Sequence, residues 1–425
     1  MPLPTPSRLA RHAVVVATIV ATLTGCNEIL KVSAPQLIEE ASLTQATNAP
    51  VIVAGAVGDF ECAFASYIAV MGTVSDEFSD SQANAAIWDL DRRTNFPQTG
   101  LYSTGTCGGF GGVYTPVATA RFQADNAIKL LDGWTDAQVD TRQNLIARMA
   151  AYAGYSLILL GEGFCSAAID LGPEMTPAQL FVLAEQRFSR TLSVATEGAT
   201  GDSLRTLARI GRARARTDQN KLAEADADAA LVPANFTFNA RYSSSSGRSE
   251  NRVFRANNTN GTVTVDATFR SQTVGGQADP RVPVADAGRG GSFPQIRLFV
   301  QNKYSSLNAP IPIATFREAI LIRAEAAAAA GNAATAVGFI NQGRTRNALP
   351  AYASTDLTAI RAQILDERRR ELFLESHRLF DTIRFAVPLN PAPGAVFPVG
   401  GGTYGDNKCL PLPDVERLNN PTLRP

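Results

Sequence analysis

Apolar residues recur at three- and four-residue steps through most of this chain, the spacing of a single helix face. Over 53–77 the recurring positions are Ala63, Tyr67, Val70, Met71 and Val74. The pattern returns over 115–131 with Val117, Phe122, Ile128 and Leu131, and over 137–160 with Leu145, Met149, Tyr152, Leu157 and Leu160. Gly161 and Gly163 end that third helix. A fourth is predicted over 177–195, where Thr176 offers a capping side chain and Pro177 a first-turn proline. Two short helix pairs follow, 202–216 with 219–231 and 313–330 with 333–346. A shift of 111 residues aligns Ala208 with Ala319, Arg212 with Arg323, Ala213 with Ala324, Ala215 with Ala326 and Ala225 with Ala336. Small residues at these steps let antiparallel helices approach closely, as tetratricopeptide hairpins do.

Two stretches break the pattern. Residues 78–114 read as a loop region rich in Gly, Ser, Thr, Asn and aromatics. Residues 233–312 form an irregular insertion with serine, asparagine and glycine runs. Within it, Val253-Phe254 and Val263–Val265 flank Asn260-Gly261 and predict a small hairpin. Residues 358–385 predict one continuous helix with Leu365, Leu372, Phe373, Leu379, Phe380 and Ile383 as its apolar stripe. Arg368, Glu371, Glu375 and Arg378 run beside that stripe at three- and four-residue steps, which suits a structural ion-pair network. The expected fold class is all-α, mostly helix with long loops and a small hairpin.

The N-terminus changes the expected address. Arg8, Arg11 and His12 precede an apolar run from Ala13 to Ala21, followed by Leu23-Thr24-Gly25-Cys26. A basic start and a short apolar run describe a secretory signal, too short to span a bilayer. The Leu-x-Gly-Cys ending resembles the lipobox of bacterial lipoproteins, which implies lipidation at Cys26. The expected organisation is a signal peptide over 1–25 and one domain over 26–425. The alternative is an ordinary secreted protein with Cys26 in a disulfide.

Charge is balanced, with 39 basic and 39 acidic residues. Loss of Arg8 and Arg11 leaves a mature chain of net charge about −2. That excludes a basic nucleic-acid binder. Besides Cys26 there are Cys62, Cys107, Cys165 and Cys409, which allow three connectivities in an oxidising compartment. The expectation is Cys62–Cys107 and Cys165–Cys409; free buried thiols are the alternative. No Cys-x-x-Cys pair is present, and the sole mature histidine is His377, so no metal site or cofactor is expected. Glu371 and Glu375 lie one turn apart between Arg368 and Arg378, which would keep both ionised and leave neither as a general acid.

Residues 358–385 closely resemble the C-terminal signature of the SusD/RagB family. The residues that carry it are Glu367, Arg368, Arg369, Glu371 and Leu372, then Glu375, His377, Arg378, Phe380, Asp381 and Arg384. Ser376 stands where that family usually has Gly, a mild departure if the position lies inside a helix. Leu410-Pro411-Leu412-Pro413 with Glu416 and Asn419-Asn420-Pro421 resembles the family's tail. Lys303-Tyr304, Arg317, Glu318 and Ala324-Glu325-Ala326 resemble its middle, and Ser75-Asp76-Glu77 fits as well.

The resemblance implies a tetratricopeptide-containing helical fold and an outer-membrane lipoprotein, tethered through its N-terminal lipid and facing the cell surface. It further implies capture of an oligosaccharide or peptide and delivery to a SusC-like TonB-dependent transporter, without catalysis. Asn27 follows the lipobox cysteine, so the common inner-membrane retention residue, Asp, is absent. Sugars stack on aromatic rings and bond to carboxylates, amides and guanidinium groups. On those grounds the candidate ligand residues are Trp88, Asp89, Asp91, Arg92, Tyr102 and Tyr114, with Phe293 in the central insertion. The alternative reading of these aromatics is a satellite core under a long loop. Two other functions stay open: a helical envelope scaffold with no small ligand, and a surface hydrolase.

Overall fold

A computed structural model describes residues 44–424 of the chain. The chain divides into two compact units, residues 1–48 and 49–425. Cys26 and its lipobox lie outside the described residues. The described part of the first unit holds one short helical turn, Ala46–Asn48. The second unit holds the remaining described elements.

Two helices are apolar on all sides and form its centre. In α1, Ala49–Val74, every residue from Cys62 to Val74 is buried. This helix is long and apolar enough to cross a membrane by composition alone, but it is the core helix of this unit. Then come α2, Ala85–Arg92, and α3, Tyr114–Asp132, both in or beside the stretch read as loop. Asn84 caps α2 by accepting from the Ala86 amide. The second central helix, α4, Arg142–Gly163, is buried throughout from Met149. It crosses α1 at Gly163, where an added Cβ would sit 2.6 Å from the Tyr67 hydroxyl. Nearby, Phe60 and Tyr152 meet edge to face with ring centres 4.8 Å apart.

The next helix, α5, Pro177–Val194, starts at a full capping box between Thr176 and Gln179. Two helix pairs follow: α6, Ala199–Asp218, with α7, Leu222–Ala229, and α8, Phe316–Ala329, with α9, Ala333–Arg346. They stack on each other through α7 and α8. The aligned alanines are buried in both pairs, for example Ala213 with Ala324 and Ala225 with Ala336. The aligned arginines differ in use. Arg212 pairs with Asp228 inside the first hairpin, whereas Arg323 reaches from the second to Asp226 of the first at 2.9 Å.

The predicted hairpin does not form. Val253 and Phe254 lie in a helical turn, Arg252–Phe254, capped by Asn251, and the turn continues as a wide helical turn through Thr259. Val263–Val265 pairs antiparallel with Phe78–Asp80 instead. The cause is Asn257, which is fully buried. Its amide donates to the carbonyls of Val263 and Phe299, and its oxygen accepts from the Gln301 amide. A side chain thus occupies positions that the other hairpin strand would need.

The C-terminal signature is also not one helix. It is α10, Leu357–Glu371, a turn over 372–377, then α11, Arg378–Arg384. Leu374 and Ser376 sit at φ 55° and 75°. Ser376 therefore occupies a left-handed position, where the family's Gly fits without strain. Its replacement by Ser is not the mild helix-interior change that the sequence suggests. A last short helix, α12, is Asp414–Asn419. Disulfides join Cys62 to Cys107 and Cys165 to Cys409, and the second holds the tail where Phe164 bridges Leu410.

Candidate ligand-binding face

Three motifs far apart in sequence meet at the turn between α10 and α11. The Glu77 carboxylate accepts from the Leu374 amide at 2.7 Å, and Arg378 holds Asp76 through two bonds. Lys303 donates to the Phe373 carbonyl and Tyr304 to the Leu374 carbonyl. These contacts satisfy a helix end that is buried on all sides.

The four signature charges pair with residues outside their own set rather than with each other. Arg368 bonds Asp381 at 2.8 Å. Glu371 meets Arg281 and Arg317, and Glu375 meets Lys303 and Arg317. Arg317 and Lys303 hold Glu375 below the usual carboxylate range despite its burial. His377 is 6 % exposed and pushed well below its ordinary value by burial, with Arg214 and Arg368 acting in the same direction. A neutral, sealed imidazole and two neutralised carboxylates offer no accessible acid or base here. Among the described residues, no group of three or more His, Cys, Asp or Glu could hold a metal ion.

The candidate aromatics divide into two sets. Tyr102 and Tyr114 are core residues, 0 % and 1 % exposed. Tyr102 donates to the carbonyls of Phe96 and Pro411, stapling the tail to the loop. Tyr114 packs edge-on against Phe164. Neither ring can serve as a surface platform. Asp91 is likewise enclosed: it accepts from the Asp80 amide, and burial pushes its carboxyl up to about 7.

Trp88 and Phe293, 205 positions apart, are half-buried and pack on one cluster. Its centre is Phe397, Val399 and Tyr404 of the tail, with Ile296 and Ala395 at its side. The indole faces Phe397 with ring centres 6.3 Å apart, and its N–H donates to the Gln82 carbonyl. Gly400 makes this packing possible, because a Cβ there would lie 1.9 Å from the Trp88 ring. Beneath, Arg93 lies over the Tyr404 ring at 4.9 Å. Asp89 and Arg92 form the polar rim: they pair at 2.5 Å, Thr94 donates to Asp89, and Arg92 stands over Phe397. Val396, next to Phe397, is 78 % exposed.

The structure thus brings together Trp88, Asp89, Arg92 and Phe293 and leaves Tyr102, Tyr114 and Asp91 outside the cluster. Phe397 and Tyr404 complete it and were not candidates from sequence. The one local signal is the Gly400–Gly402 run between them, which permits a tight return.

The model of the SusD family matches residues 235–408. A SusD-like carbohydrate binding protein from Bacteroides vulgatus shares the fold at 13% identity and TM-score 0.66, over 89% of this chain and 97% of its own. A SusD superfamily protein from the same organism aligns at 15% identity and TM-score 0.70, covering 89% and 98% of the two chains. A third, from Bacteroides fragilis, gives 14%, TM-score 0.66, and 90% and 99% coverage. No curated protein matches the sequence. Residues 235–408 thus match the SusD family, and the described chain has the mostly helical SusD-like fold.

Proposed function

We propose that this protein is a surface lipoprotein of the outer membrane that captures an oligosaccharide and passes it to a TonB-dependent transporter. The observation that carries the reading is the convergence of Trp88, Phe293 and Phe397 beside the Asp89–Arg92 pair. A half-buried indole, its N–H already bonded, offers an apolar face without a desolvation cost at the nitrogen. The rim carboxylate and guanidinium supply an acceptor and donors for sugar hydroxyls. The family match over residues 235–408 and a structural neighbour described as a carbohydrate binding protein support the same class. The sealed His377 and neutralised Glu371 and Glu375 favour binding without turnover.

The test is titration calorimetry with a panel of neutral oligosaccharides, on the protein and on Trp88→Ala. Removal of the indole weakens the best ligand by about ten- to hundredfold, from a stacking loss of roughly 1–3 kcal/mol. Undiminished binding moves the site elsewhere. Absence of any saccharide ligand favours the scaffold reading. Co-purification of a stoichiometric β-barrel from native membranes tests the transporter partnership.

A further inference from the structure

A second cleft of about 770 Å³ lies away from the Trp88 cluster, between one face of α3, the loop after residue 168, and α12. Thr115, Thr119, Phe122, Asn126 and Lys129 of α3 line it, facing Leu171 and Val415. Phe122 and Leu171 are 50 % and 56 % exposed. The Arg121 guanidinium stands 5.9 Å from the Phe122 ring centre. Asp170 and Leu171 are consecutive residues at φ 52° and 59°, a left-handed pair without glycine. The fold holds that pair in place: Asp170 meets Arg121 at 2.8 Å, and Thr422 donates to the Leu171 carbonyl. Strained backbone kept by several contacts is common where a loop presents a side chain to a ligand.

The charge inventory of this cleft is uneven. Asp125 is taken by Arg121 and Arg187, Asp170 by Arg121, and Glu416 by Tyr114 and Asn420. Among the described residues, Lys129 is the lining charge with no partner, and Asn126 and Thr119 carry unused side-chain hydrogen-bonding groups. Lys129 lies two helical turns beyond Phe122, about 10 Å along the axis. The cleft thus presents a ring face, then an amide, then one uncommitted cation, in a line.

We propose that this cleft is a second saccharide site that selects an acidic oligosaccharide, with a pyranose ring on Phe122 and a carboxylate or sulfate at Lys129. The inference rests on the reading that the chain takes saccharides, but not on the Trp88 cluster. Tetragalacturonate and its fully methyl-esterified, uncharged form are the probes, titrated against the protein, Phe122→Ala, Lys129→Gln and Trp88→Ala. Both new variants alter exposed side chains. The expected result is about tenfold tighter binding of the acid than of the ester. That preference disappears in Lys129→Gln, both forms weaken in Phe122→Ala, and the preference survives in Trp88→Ala. An unchanged preference in Lys129→Gln overturns the site, as does loss of acid binding in Trp88→Ala alone. If neutral oligosaccharides bind through Trp88 and tetragalacturonate does not bind at all, the second site falls and the capture reading stands. If no saccharide binds, both fall.

Discussion

Arg378 at the start of α11 holds Asp76 just past the end of α1, across 302 residues of sequence, with Nε and Nη2 on the two carboxylate oxygens at 2.6 and 2.7 Å. Both side chains are nearly sealed from solvent. Loss of one partner leaves the other charge buried and alone. Asp76→Ala therefore destabilises the protein by about 3–5 kcal/mol, and Asp76→Leu with Arg378→Met by clearly less. Urea unfolding of the three proteins checks this; equal losses would show that shape, not charge, decides.

Ser376 at φ 75° separates two effects of one side chain. Its hydroxyl accepts from Arg214 at 3.3 Å, a weak contact beside the stronger Arg214–Glu162 pair. Ser376→Ala removes the hydroxyl and keeps the backbone strain. Ser376→Gly removes both. The glycine variant is expected to be more stable than the alanine variant by about 1 kcal/mol. Thermal melts that place alanine at or above glycine contradict the left-handed assignment.

Burial raises the Glu77 carboxyl from its ordinary 4.5 to about 7, with Asp76 adding to it and the Leu374 amide, Arg378 and Lys303 opposing. Between those two values the folded protein keeps a proton that the unfolded chain has released. Its stabilising contribution is full below pH 4.5 and is lost as pH rises through 7. Glu77→Gln cannot titrate. Relative to the parent, it gains about 3 kcal/mol between the two ends of that window. Denaturant curves at both pH values read the change, and a constant offset would return the carboxyl to its ordinary pKa.

Cys165–Cys409 closes a loop of 244 residues and anchors the tail that carries Phe397 and Tyr404. Its removal by the double Cys→Ala change costs about 3–5 kcal/mol. It also loosens the packing over Trp88. In a Trp134→Phe background, Trp88 emission is expected to shift to the red and quench more readily. Unchanged emission would mean that the tail stays seated without its staple.

Helices with local causes were legible in the sequence. The 115–131 periodicity became α3, Tyr114–Asp132, and Thr176-Pro177 began α5. The stripe over 358–385 misled because its apolar spacing continues across a break imposed from elsewhere. Glu77, Lys303 and Tyr304 take the backbone groups of residues 373 and 374, and no local pattern announces that. Asn260-Gly261 signalled a hairpin, yet buried Asn257 bonds three separate backbone groups and overrides it. In the candidate site, Trp88 and Phe293 stood out as aromatics in irregular segments. Phe397 did not, because its neighbours come from the return of the tail and not from its own surroundings in sequence.

That return carries a temporal consequence. The aromatic cluster draws on residues near 88, 293 and 397, so more than nine-tenths of the chain can emerge and fold before its centre exists. A polypeptide synthesised from its N-terminus lacks the proposed surface until the last stretch docks. A product clipped between residues 385 and 395 would keep the tetratricopeptide-like pairs and lack the centre of the cluster, a helical body with its proposed recognition function left unbuilt.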